Sequence, residues 1–481
     1  MAEGGVVAAG HPLTARAGAE VLRAGGNAVD AAVAAMLTSF IAEPLMTGLG
    51  AGGYLLVAPA GGEPVLLDFF VEAPGRGVDL TGLAPLLPIE VSFGDAVQVF
   101  HVGAASCAAY GVPAGIVAAV ERFGTAPLAE LTRPAAALAR DGVRVNREQA
   151  HLFTLLAGIV DSTAEARATY FVVGRPPREG DLLRDPDLAD ALDRLGAEGA
   201  APFYTGDIAA AISDRVRAGG GALSREDLAA YRVVPRTPAQ VTYRGRQVYT
   251  NPPPSAGGLA LIDALARLDR TDGPPDEVAL VRALLAVPPN GTPRPGARVE
   301  RLGSTTHISV LDAGGSACAV TCSNGQGSGL VVAGTGVHVN NMMGEEDLSP
   351  GGLLSHIPGT RLPSMMAPTA VFRDGMPELV LGSAGSNRIR GALLQVIVNA
   401  IDLDLAAQQA VDAPRLHAQQ GLVYAEPGID VTALQAAGYP VTRFRGRNAF
   451  FGGCQAVRRD LVTAAVTAGG DPRRGGAVAP A

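Results

Sequence analysis

Thr305-Thr306-His307 opens a stretch of alternating apolar and polar residues that runs to Asp312. The chain then turns at Ala313-Gly314-Gly315-Ser316 and returns as Ala317-Cys318-Ala319-Val320-Thr321-Cys322, a pattern that predicts a β-hairpin. Immediately upstream, residues 286–304 read AVPPNGTPRPGARVERLGS. Prolines there remove amide donors and fix φ while the glycines add freedom, so neither helix nor sheet is expected. Two readings of Thr305 follow. It could simply be a strand former, for which a β-branched residue is well suited. Alternatively, a cut between Ser304 and Thr305 would give Thr305 a free α-amine beside its own hydroxyl. That amine, with an ordinary pKa near 7.7–8.0, could serve as the base that activates the hydroxyl as a nucleophile. On these residues alone the strand reading is ahead.

The rest of the composition narrows the chemistry. All 38 basic residues are arginine, which excludes a catalytic lysine, and with it pyridoxal-phosphate and Walker-type chemistry. A net charge of −8 without any basic run argues against nucleic acid and anionic membrane as partners. The histidines have no ligand spacing, so no metal and no cofactor are expected. His307 reads as a strand residue with a structural hydrogen bond, because an N-terminal threonine carries its own base. Cys318 and Cys322 share a strand face, two pleats apart, too far for one metal ion or a disulfide, and read as core. The amino-terminal residues lack the charged and apolar regions of a secretory signal, and the apolar segment from Ala28 to Ala42 is too short to span a bilayer, so a cytoplasmic location is expected.

The elements that must position Thr305 are legible in outline. Residues 12–43 predict two helices, the second capped by Asn27 with Asp30 three residues on, and apolar nearly all round, hence buried. The glycine run from Thr47 to Gly53 follows a helix and leads into the strands YLLVAP and PVLLDFF, the reverse of a phosphate-binding loop. Residues 113–230 are expected to be largely helical, with a capping box at Ser224 and Asp227. Residues 240–250 return to strand, and the segment after the proline-rich stretch is strand-rich and then mixed. The likeliest internal boundary is 286–304.

Nine stretches, taken in order, resemble the γ-glutamyltransferase (glutathione hydrolase) family. They are Arg23–Ala34; Glu43-Pro44 with the glycine run; Gly111–Gly115; Leu138–Val143; Asn251–Ser255; Thr305–Val310; Asn340–Met343 with Ala367–Thr369; Gly382–Gly385; and Ala413–His417. The resemblance implies an α/β, four-layered αββα N-terminal-nucleophile hydrolase that cuts itself between Ser304 and Thr305. Residues 1–304, with the linker at 286–304, would form a large chain, and residues 305–481 a small one, together making one structural domain. A dimer of such processed pairs is an assembly compatible with this. By the same resemblance Thr305 is the nucleophile. Ser323 takes the place of a threonine that bonds its hydroxyl, and Gly385 and Ser386 take that of the Gly-Gly pair whose backbone N–H groups form an oxyanion hole.

The departures from the family pattern fall on recognition. Where the family carries the arginine that clamps the γ-glutamyl carboxylate, this chain has Phe70. The family's Ser-Ser pair is Ser364-Met365, and the polar residue after Asn-Asn is Met342. Glu345 or Glu346 falls where an acid takes the substrate's amino group, and Asn324 where an asparagine binds substrate. Losing a bidentate clamp costs several kcal/mol unless another cation replaces it. The expected activity is therefore acyl transfer from a small-molecule amide, through an acyl-enzyme on Thr305, with an acyl group other than γ-glutamyl. Alternatives are a true γ-glutamyl enzyme that recruits Arg361 or Arg388, a carbon–carbon bond hydrolase of an antibiotic pathway, and an uncut, non-catalytic homologue.

Overall fold

A computed structural model describes residues 4–92, 97–286, 304–349 and 351–481. Most of the proline-rich boundary, 287–303, thus lies outside the described residues. Chain order begins with strand Gly5–Ala9, helix Pro12–Arg23 and helix Ala28–Ala42. The second helix starts as expected. The Asn27 side chain accepts from the Val29 and Asp30 amides, and the Asp30 carboxylate accepts from the Asn27 N–H. Each of its residues is buried, which its all-round apolar sequence requires.

Two antiparallel sheets dominate the fold. The first has seven strands in the order Ala477–Pro480, Gly5–Ala9, Thr306–Asp312, Ala317–Ser323, Gly52–Ala58, Val65–Phe69 and Val234–Arg236. The second has six, in the order Val466–Gly469, Gly453–Arg459, Met376–Ala384, Thr369–Arg373, Arg246–Thr250 and Ala239–Tyr243. Strands from before and after the Ser304–Thr305 bond are interleaved. In the first sheet Thr306–Asp312 pairs with Gly5–Ala9 on one edge, and Ala317–Ser323 pairs with Gly52–Ala58.

The sheets face one another. Ser309 Oγ donates across to the Gln455 carbonyl at 3.1 Å, and a Cβ on Gly382 would lie 2.2 Å from the His307 ring, so only glycine admits this approach. Helices Pro12–Arg23 and Ala28–Ala42 pack on the first sheet, and Ala256–Leu268, Ile389–Ile401 and Ala407–Asp412 on the second. Strand alternation divides the core accordingly. Cys318, Val320 and Cys322 join the cluster under the first helices, whereas Ala317 and Ala319 join the cluster shared with the second sheet. Both cysteines are therefore buried and free. Among the described residues no helix is long and apolar enough to cross a membrane.

Candidate active site

Hairpin register places the nucleophile candidate. Thr306 pairs with Cys322, so Thr305, just before the first strand, meets Ser323 at the end of the second. The Thr305 hydroxyl donates to Ser323 Oγ at 3.3 Å, and Ser323 Oγ donates to the Ser304 carbonyl at 2.5 Å. The Gly325 amide donates to the same Ser323 oxygen at 3.1 Å and holds it in place. A continuous chain of hydroxyls thus links the Thr305 oxygen to the carbonyl of the bond that precedes it. Thr305 is 6% exposed and Ser323 likewise 6%, so this chain works largely out of bulk water.

A second polar group supports the strand start. Thr306 Oγ1 donates to one oxygen of Glu43 and Thr14 Oγ1 to the other, each at 2.8 Å. Burial pushes the Glu43 carboxyl up from its ordinary 4.5 to about 7, against the opposing pull of the two hydroxyls. Glu43 lies more than 260 residues away in the chain, and its only sequence signal was its place in a resembling Glu-Pro pair. The His307 side chain is engaged elsewhere. Its ring nitrogens meet Thr321 Oγ1 at 2.7 Å and Ser309 Oγ at 2.9 Å, and burial lowers it to about 3, which leaves a neutral ring clamped between hydroxyls.

On one side of Thr305 lies a narrow cleft of about 40 Å³. It brings together Ser304, Thr305, Ser323, Phe70, Met342, Glu345, Ser364, Met365 and Ser386 among the residues singled out from sequence, and adds Asp347, Leu348, Met366 and Ile389. None of these lining residues is basic. Phe70 stacks on Tyr54 with ring centroids 5.5 Å apart. Arg361 stands behind it. Its guanidinium donates to the Phe70 carbonyl, lies 3.2 Å from Glu72 and 3.7 Å from Asp68, and covers the Tyr231 ring. Arg361 thus serves two carboxylates of the scaffold and does not line the cleft. Arg388 lies over the Phe450 ring and does not line it either.

Asn324 and the Gly385-Ser386 pair take positions that sequence did not convey. Asn324 is not among the residues lining the cleft, and its side-chain amide donates to the His338 carbonyl at 3.2 Å. Gly385 has φ +128° and Ser386 φ +52°. A serine in the left-handed region is uncommon, and here its hydroxyl is tied to Asp347 at 2.8 Å. Ser304 and Thr305 also line a second, larger cavity of about 670 Å³, together with Thr306, His307 and Glu43. Among the described residues no group of three acidic, histidine or cysteine side chains could hold a metal ion.

The Gamma-glutamyltranspeptidase family matches residues 14–284 and 285–481. The chain belongs to that family. It is 32% identical to the Glutathione hydrolase proenzyme of Escherichia coli K12 over 87% of this chain and 81% of that protein. It is 34% identical to the Acylase ACY 1 proenzyme of Pseudomonas sp. SE83 over 91% of this chain and 87% of that one. Among solved structures, the cephalosporin acylase from Bacillus halodurans superposes with a TM-score of 0.86 at 27% identity, covering 99% of this chain and 96% of that one. Relatives named as glutathione hydrolase and as acylase thus both accompany this chain.

Proposed function

We propose that this chain is a self-processing N-terminal-nucleophile acyltransferase or hydrolase with the four-layered αββα arrangement, in which Thr305 first cuts the bond before it and then carries an acyl group from a small amide. The observation that carries this is the hydroxyl chain from Thr305 through Ser323 to the Ser304 carbonyl. Attack of Thr305 Oγ1 on the Ser304 carbonyl carbon puts negative charge on the oxygen that Ser323 already contacts, and the Thr305 proton has a path along the same hydroxyls. Collapse breaks the Ser304–Thr305 C–N bond, the Thr305 nitrogen taking up the proton given by the hydroxyl, and so frees the Thr305 amine and leaves Ser304 as an ester on Thr305 Oγ1. Water then cleaves that ester, giving a Ser304 carboxylate and the free Thr305 hydroxyl. In the later reaction the amine takes the hydroxyl proton and returns it to the departing nitrogen.

The acyl group is not γ-glutamyl. An α-carboxylate entering the cleft would meet Glu345 and Asp347 and no cation, against a wall of Phe70, Met342 and Met365. The cleft volume suits an apolar acyl group of only a few heavy atoms. Two measurements test the proposal. Denaturing electrophoresis of purified protein should show two pieces, the smaller of 481 − 304 = 177 residues. Short N-acyl 4-nitroanilides should then be turned over faster than γ-glutamyl-4-nitroanilide. A chain that stays whole, or a preference for the γ-glutamyl compound, overturns the respective half.

A further inference from the structure

One wall of the acyl cleft is a turn that side chains resist. Strand Met376–Ala384 ends opposite Gly453, and the chain leaves it through Gly385, φ +128°, and Ser386, φ +52°. Glycine is required at the first of these, for besides the positive φ a Cβ there would lie 2.9 Å from the Gly452 Cα. The second carries a side chain in the left-handed region, where Cβ crowds the following carbonyl and asparagine or aspartate is the commoner non-glycine choice. A 3-10 turn, Ser386–Arg388, then leads into helix Ile389–Ile401. Ser386 and Ile389 both line the cleft beside Thr305.

A contact from another part of the chain holds this serine. Its Oγ donates to a carboxyl oxygen of Asp347 at 2.8 Å, across 39 positions of sequence. Asp347 is 7% exposed and sits in the 3-10 turn Glu346–Leu348. That turn is closed by the Leu348 amide on the Glu345 carbonyl and the Ser349 amide on the Glu346 carbonyl. The carboxyl is thus presented from a closed turn. Only one side-chain torsion separates the Ser386 hydroxyl from its own main chain, so fixing the hydroxyl fixes the backbone. The Gly385 and Ser386 amides are the groups expected to meet negative charge on the carbonyl under attack. Two glycines adopt such a turn without strain, whereas a Gly-Ser pair needs a tie.

We propose that Asp347 is a positioning residue: through the Ser386 hydroxyl it holds the main chain at 385–386 in the left-handed turn and so aims the two N–H groups at the reacting carbonyl oxygen. This rests on the acyl-transfer function proposed above. When Thr305 Oγ1 bonds to the amide carbon, the C=O electron pair moves to oxygen. It returns as the C–N bond breaks and the nitrogen leaves with the proton of the hydroxyl. The N–H groups count most while that charge exists, so a loss of aim lowers kcat and leaves KM nearly as it was. In the self-cut the Ser304 carbonyl accepts from Ser323 Oγ at 2.5 Å, so that step should not need Asp347.

A double-mutant cycle tests this, with 4-nitroacetanilide and 4-nitrobutyranilide as probes. Asp347→Ala should still cut itself, and should lower kcat about tenfold at nearly constant KM. Asp347→Asn, which keeps an acceptor oxygen, should recover most of that loss. The deciding background is Ser386→Gly. Glycine takes the left-handed conformation without a tie, so the same Asp347→Ala change made in that protein should cost less than about twofold. An equal cost in both backgrounds would overturn the proposal, because Asp347 would then act on the substrate directly or through the fold. A raised KM at unchanged kcat, or an Asp347→Ala chain that stays whole, would overturn it as well. Urea unfolding of the same proteins separates the two readings. Coupling of Asp347 to Ser386 in stability, with no turnover of any N-acyl anilide by the wild type, would uphold the tie and reject the acyl-transfer function. Turnover by the wild type without coupling in kcat would reject the positioning role and keep the function.

Discussion

The two sides of Thr305 are built from different materials. Toward Ser323 and Glu43 the surroundings are hydroxyls, main-chain amides and one buried carboxyl, each with a named partner. Toward Phe70 and Met365 they are rings and thioether chains beside two acids, Glu345 and Asp347, and the guanidinium behind Phe70, Arg361, is committed to Asp68 and Glu72. The difference separates two demands on one residue. Activation of a hydroxyl needs short polar groups at fixed distances, which hairpin register supplies. Recognition depends on which side chain faces the acyl group, and one substitution can change it without moving the backbone.

The largest effect should come from breaking the polar side at its centre. Thr305→Ala removes the attacking oxygen, so the chain should stay whole on denaturing gels and lose turnover completely; a cut variant would place the nucleophile elsewhere. Next comes Glu43. Its folded-state value of about 7 exceeds the ordinary 4.5, so its contribution to stability is fully present below pH 4.5 and is lost as pH rises through about 7. The loss amounts to on the order of 3 kcal/mol. Glu43→Gln, which keeps partners for Thr14 and Thr306, should abolish this loss. Urea unfolding at pH 5 and pH 8 would show it, and equal slopes with pH in both proteins would refute it.

Converting the apolar side should give a smaller change of opposite character. Phe70→Arg with Met365→Ser restores a polar clamp and should raise kcat/KM for γ-glutamyl-4-nitroanilide about tenfold to a hundredfold, equivalent to roughly 1.5–3 kcal/mol. Turnover of short apolar N-acyl anilides should fall in the same protein. If both rates fall together, the wall does not set specificity. The smallest effect is expected from Ser323→Ala. It should slow acyl transfer about tenfold, the worth of one hydrogen bond, while thermal stability drops by no more than ~1–2 kcal/mol. An unchanged kcat would remove Ser323 from the proton path.

What the sequence disclosed follows from how far apart the interacting residues lie. The Asn27 capping box and the hairpin from Thr306 to Ser323 depend on neighbours within a turn or two strands, and periodicity exposes both. The apolar wall was visible because Phe70, Met342 and Met365 break a pattern at single positions. The surroundings of Asn324 were not visible, because its side-chain amide donates to the carbonyl of His338, fourteen residues on. Glu43 and the larger cavity were out of reach for a related reason. Both are made where helix Ala28–Ala42, helix Arg147–Leu155 and the segment around Arg447 converge, and no local pattern records that convergence.

The interleaving of strands has a consequence for a molecule cut as proposed. With the Ser304–Thr305 bond broken, the pairing of strand Thr306–Asp312 with Gly5–Ala9, and of Ala477–Pro480 with the same strand, would still join the two pieces. Separation of the pieces would therefore require dismantling both sheets at once. Folding of the whole precursor is a first-order process that needs no encounter, whereas reassembly of two cut pieces is second order and depends on dilution. A processed sample taken through denaturant should show hysteresis that an uncut one lacks. A cut there would make unfolding a one-way event at low concentration, and the two-piece form would persist through the height of its unfolding barrier rather than through equilibrium.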